Sequence, residues 1–154
     1  MSKKRSRGQK ERPISLGGLD TAAKIMNLMK VDMANEIIDD ISSKDENLAL
    51  AIRDNMFMFD TLTAIDNKSI QVILRNIDSD LLMTALKGAN DDAKDKFLSN
   101  MSQRARVRFH DDLEALGPIR TTESEMAQKS ITRTARKLAD SGAIVLSINR
   151  NEYI

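Results

Sequence analysis

Charged residues at helical spacing between positions 100 and 116 are the part of this sequence whose types and order could do chemistry. Arg104 and Arg108 stand one turn apart, and Arg108 lies over Asp111 and Asp112 at i+3 and i+4. On a helix, Arg104, Arg108 and Asp111 share one exposed side with Asp112 at its border. Met101, Ala105, Phe109, Leu113 and Leu116 fall on a different side, the expected core face. Cations towards the helix start and anions towards its end oppose the macrodipole, at about 0.3–1 kcal/mol per charge. A face that forgoes local stability points to contact with a charged partner, where exposed ions steer encounter more than they hold. The alternative is an ordinary solvated helix whose ion pairs contribute little.

Other chemistries lack their residues. With no cysteine there is no thiolate nucleophile, thiolate metal site or disulfide, and His110 as the sole histidine leaves no multi-histidine metal site and no ready triad. Gly17-Gly18 lacks the preceding strand and further glycines of a phosphate loop, so it reads as a pivot or a plain turn at a helix start. The pairs Asp39-Asp40, Asp91-Asp92 and Asp111-Asp112 point about 100° apart on a helix and do not converge on one metal. No catalytic residue, metal site or cofactor is expected, and an enzyme is not. Aromatic residues make up 3% of the chain, too few for a base-stacking platform. The formal net charge of +1 supplies no overall field towards nucleic acid or membrane. No apolar run approaches the roughly 18 residues of a membrane span. These features suit a cytoplasmic, mostly helical protein.

Positioning those charges falls to a succession of helices. The first twelve residues carry six cations against Glu11 alone, a charge of +5 that leaves −4 for the rest, and residues 1–14 read as a disordered basic tail. Ala22, Ile25, Met26 and Met29 make one apolar stripe, and Ala34, Ile37, Ile38 and Ile41 a second. Ser43 opens a capping box before a helix with Leu48, Ile52 and Met56. The apolar knot Met56-Phe57-Met58-Phe59 interrupts this rhythm. Short helices capped by Asp66, Asp78 and Asn90 follow, the second closed by Gly88. A box at Asn100 and Gln103 starts the charged helix, which stops at Gly117-Pro118. Thr122 and Glu125 open a last long helix that Gly142 ends, and Ile144, Val145, Leu146 and Ile148 form an extended tail. The fold class is all-α, with about eight or nine helices in two packed groups joined near residues 56–66.

Several of these segments resemble the C-terminal domain of FliG, the bacterial flagellar motor switch protein. They are Asp66-Asn67-Lys68-Ser69-Ile70-Gln71, Leu86-Lys87-Gly88-Ala89, the run from Phe97 to Ala105, Asp111-Asp112-Leu113, Gly117-Pro118-Ile119-Arg120 and Gly142-Ala143-Ile144-Val145. The resemblance runs from about Gly17 to the end, with the motifs in order. It implies an armadillo-like bundle over residues 15–62, a six-helix charge-bearing subdomain over 63–154, and a Met-Phe-x-Phe hinge at Met56, Phe57, Met58 and Phe59. It further implies a cytoplasmic rotor component of the C-ring at the flagellar basal body, peripheral to the inner membrane, with no catalytic activity. The family's torque charges fall on Lys87, Arg104, Asp111, Asp112 and Arg120, all with their sign kept. The implied partners are the cytoplasmic loop of a MotA-type stator, neighbouring rotor subunits and the switch protein FliM. Reorientation about the hinge would change how the charged helix faces the stator and so reverse rotation.

The resemblance is met from the Gly17-Gly18 linker onward, so the chain is expected to lack the N-terminal and middle domains of family members. Ile25, Met29, Ile37 and Ile41 are therefore expected to form an apolar face that seeks a second rotor subunit. A different reading makes the chain a helical binder of acidic partners or nucleic acid through its basic tail. That reading sits poorly with the −4 charge of the body.

Overall fold

The computed structural model describes residues 18–146, which are helical nearly throughout and contain no strand. Residues 18–28 form α1, followed by α2 (Val31–Lys44) and α3 (Glu46–Met56), then a 3-10 turn at Phe59–Ala64. The remaining helices are α4 (Asn67–Arg75), α5 (Ser79–Lys87), α6 (Asp91–Leu98), α7 (Gln103–Leu116) and α8 (Thr121–Asp140). The chain divides into two compact units that part between Phe57 and Met58. The basic tail, Gly17 and Ile148 lie outside the described residues, and Gly18 is already helical.

Local chemistry sets the helix starts, several of them two residues from where the capping pattern put them. Asp45 caps α3 by accepting the Leu48 N–H at 3.1 Å, while Ser43 donates back to the Asp40 carbonyl inside the end of α2. Ser43 is still inside α2, and Asp45 stands at the one extended position from which a side chain reaches the third amide of α3. Ser102, not Asn100, caps α7 by accepting the Ala105 N–H at 3.1 Å. Asn100 instead donates to the Lys96 carbonyl and to Asn67. At α8 the cap position is Arg120, whose backbone N–H donates to Glu123 Oε1 at 3.2 Å, so the box opens before Thr122. Asp66 and Asn90 cap as expected, accepting from Ser69 and Ala93. Asp78 sits at the N-cap of α5 but its side chain makes no capping hydrogen bond. Gly117 and Gly142 end their helices at φ of +73° and +85°, where a side chain would be strained.

In the first unit, Met26, Ala34, Ile38, Ala49 and Ile52 form the core, with Ala22, Met29, Ile37, Ile41 and Met56 packed around it. Of the four residues expected to form an outward apolar face, Met29, Ile37 and Ile41 pack on this core instead. Ile25 and Leu48 are exposed, and the alanines beside them, Ala23 and Ala49, are buried instead. Close helix approach favours the smaller side chain, which apolar periodicity weighted by size does not reveal. Leu28, Val31 and Met33 are also exposed, Leu28 to 87%, giving this unit a sizeable apolar surface.

The second unit is built around α8, which packs chiefly on α5 and also on α4 and the 3-10 turn. Leu62, Ile70, Ile73, Leu86, Phe97 and Ile131 are fully buried. The rings of Phe59 and Phe97 stack with centroids 5.6 Å apart and 9° between planes. The 3-10 turn thus belongs to this unit, so its start falls five residues before the expected boundary at 62/63. The stretch after α8 bends without forming an extended strand. Ile144 is buried, and the Val145 N–H donates to Ser69 Oγ at 3.3 Å. Among the described residues no helix is long and apolar enough to cross a membrane.

Candidate charged interface

Helix α7 is attached lightly. Phe109 is its only buried residue, and Leu113 is half-buried. Ala105 and Leu116, both expected on the core face, are exposed, as is Val107. Phe109 is thus the one fully buried side chain of a helix most of whose surface faces outward. Arg104, Arg108, Asp111 and Asp112 are all exposed, and so is Arg120 just before α8. None of these five makes an ion pair with another described residue. Helix α7 has no acid in its first turn and no base in its last, so its charges run against its own dipole as the sequence pattern predicts.

Lys87 behaves differently from the other expected charges. It is half-buried at the end of α5, and its Nζ donates to the Leu113 carbonyl at 3.2 Å in the last turn of α7. It supplies the cation that the C-terminus of α7 lacks, satisfying one of the carbonyls a helix leaves open. Of the five charges assigned by the resemblance, Arg104, Asp111, Asp112 and Arg120 are thus exposed and unpaired, while Lys87 is committed to holding α7.

The end of α5 is fastened on its other side as well. Ser124 of α8 is buried and donates to the Ala85 carbonyl at 3.1 Å while accepting the Gly88 N–H at 3.1 Å. Gln128 donates to the same carbonyl at 3.0 Å. A Cβ on Gly88 would stand 2.4 Å from Ser124 Oγ. Gly88 is glycine for lack of room, since its φ of −103° suits any residue. The sequence marks Gly88 only as a helix end; the contact with Ser124, 36 residues away, has no local signal.

The expected hinge residues distribute across the division of the chain. Met56 ends α3 and packs on the core of the first unit, and Phe59 is buried in the second. Phe57 and Met58 between them have extended backbone, and Met58 is exposed. Of the acidic pairs, Asp39 pairs with Arg53 at 3.5 Å, while Asp91 and Asp92 lie in the first turn of α6. Among the described residues no group of three His, Cys, Asp or Glu side chains could hold a metal ion.

Comparison with known proteins gives the family. Residues 39–146 match the family described as the FliG C-terminal domain. The flagellar motor switch protein FliG of Vibrio cholerae is 42% identical over 139 residues, covering 90% of this chain and 40% of that protein. Its counterpart in Pseudomonas aeruginosa is 45% identical over 132 residues, covering 86% and 39%. The structure of full-length FliG from Aquifex aeolicus superposes with a TM-score of 0.77 at 36% identity, over 91% of this chain and 46% of that one. The chain thus spans about two fifths of the length of the relatives it matches. From the matched sequence and the shared all-helical fold, the chain belongs to the FliG C-terminal domain family.

Proposed function

We propose that this chain forms the torque-bearing part of a flagellar rotor, presenting Arg104, Asp111, Asp112 and Arg120 to a stator of complementary charge. The observation that carries this reading is the exposed set of unpaired ions on α7, a helix oriented against its own dipole. A rotor must release each stator quickly, and exposed charges suit brief contact because water and salt screen them. Lys87 contributes by holding the end of α7, and Arg108 joins the exposed set. Met56, Phe57, Met58 and Phe59 act as the hinge; Gly18, being helical, is not part of a pivot. Extended backbone at Phe57 and Met58, with anchors on either side in different units, supports the hinge assignment. The apolar surface carrying Leu28, Val31 and Met33 docks on a neighbouring rotor subunit. Through that neighbour and FliM the chain joins the C-ring on the cytoplasmic side of the basal body.

The test is binding of the purified chain to the cytoplasmic loop of a MotA-type stator, with Arg104→Glu, Asp111→Lys and Asp112→Lys as single and combined variants. Expected is salt-sensitive binding that the reversals abolish while far-UV circular dichroism stays unchanged. Binding indifferent to all three reversals would overturn the proposal.

A further inference from the structure

Between α7 and the α4–α5 pair the second unit carries an open groove of about 400 Å³. Its floor is apolar: Leu74, Ile77, Leu82 and Met83 on one side, Ala105 and Phe109 on the other. Along its α7 wall stand Arg104, Arg108 and Asp112, at i, i+4 and i+8, so the rim reads plus, plus, minus at steps of about 6 Å. Asp78 lines the opposite side. Neither arginine pairs with Asp78 or Asp112, and the Asp78 side chain leaves its N-cap unmade. Four charges of both signs therefore border one apolar trough without neutralising one another.

We infer that this groove receives an amphipathic helix of a protein partner, whose apolar ridge seats between α7 and α5. Two acids and then a base on that helix face Arg104, Arg108 and Asp112. The groove is open along one side, which admits a ridge of side chains and leaves a small molecule poorly enclosed. Charge order supplies direction, because a helix inserted the other way round would meet like charges at both ends. The apolar floor supplies what exposed ions do not, a fixed depth and register. This inference rests on the proposed role of α7 as a partner-facing helix and specifies how the partner is held.

The experiment uses a designed amphipathic peptide of about 18 residues, long enough to be helical. It carries Glu, Glu and Lys at i, i+4 and i+8 beside a leucine face, and a second peptide carries Lys, Lys and Glu. Each is titrated into the chain labelled on Leu, Ile and Met methyl groups. Expected are shifts at the Leu74, Ile77, Leu82 and Met83 methyls with the first peptide, and at least tenfold weaker binding of the second. Ala105→Trp, which fills the trough without touching a charge, should weaken the first peptide at least tenfold. Ala105 is exposed, so the indole has room without entering the core. Binding that leaves those methyls unshifted, survives Ala105→Trp, or is equal for the two peptides of opposite charge sign would overturn the inference. Stator binding lost on reversing Arg104 but kept in Ala105→Trp would leave the rotor proposal standing and remove only the groove.

Discussion

Replacing Gly88 by alanine tests whether close approach, and not backbone freedom, dictates the residue at the end of α5. The new Cβ would lie 2.4 Å from Ser124 Oγ and 2.8 Å from Ser124 Cβ, both part of a buried side chain on α8. To relieve that overlap, α5 and α8 must separate. The Gly88 N–H to Ser124 bond and the Ser124 to Ala85 bond are then lost together. Two hydrogen bonds at about 0.5–1.5 kcal/mol each, with about 1–3 kcal/mol for overpacking, give roughly 2–6 kcal/mol. The usual gain from replacing glycine returns about 0.4–1 kcal/mol, leaving a net loss of roughly 1–5 kcal/mol. Urea unfolding, with hydrogen exchange at α5 and α8 amides to assign the transition to the second unit, measures it. Ser124→Gly removes both clashing atoms, so in that background Gly88→Ala should cost nothing or stabilise slightly. A loss below about 1 kcal/mol in the parent chain, or the same loss in both backgrounds, would refute the close-approach argument.

Other outcomes follow from the same contacts. Lys87→Met removes the ammonium from the Leu113 carbonyl. It should speed hydrogen exchange in the last turn of α7 about tenfold, whereas Lys87→Gln, which keeps an N–H donor, should speed it less. Arg104→Glu puts an acid in the first turn of α7 and should stabilise the chain by about 0.3–1 kcal/mol while it abolishes partner binding, which denaturation and titration together would show. Reduced stability would contradict the account of the dipole. The Ser69 hydroxyl, donating to Asp66, holds that carboxyl below its ordinary value of 3.8. A lowered folded value means its stabilisation is complete above 3.8 and fades as pH falls through that lowered value. The stability gap between the parent and Asp66→Asn should therefore shrink from about pH 5 to pH 2, read by thermal melts across that range.

Periodicity made the number and order of helices legible, because each segment carries a 3.6-residue apolar stripe and a polar or glycine stop. Helix starts were less legible. Asp45 and Ser102 stand near the residues expected to cap, and a two-residue choice among competing polar side chains is settled only by backbone geometry. The core face of α7 was overread: Ala105 and Leu116 keep the right spacing, yet no neighbouring helix comes close enough to cover them. The exposed charges were visible as a pattern opposing the dipole, and Arg104, Arg108, Asp111 and Asp112 are exposed as that pattern predicts. Lys87 was not legible as a clamp, since its acceptor is a backbone carbonyl 26 residues away. The same distance problem hid Ser124 and Gln128, whose partners lie across two helices.

Helix α7 has one ring in the core, and almost all of its outer surface is free of packing duties. Such a segment can have its plus and minus signs inverted or shuffled at a stability change of only about 0.3–1 kcal/mol per charge. Under the proposed rotor role, a recoded α7 paired with a stator inverted to match would give a private drive train that ignores its natural counterparts.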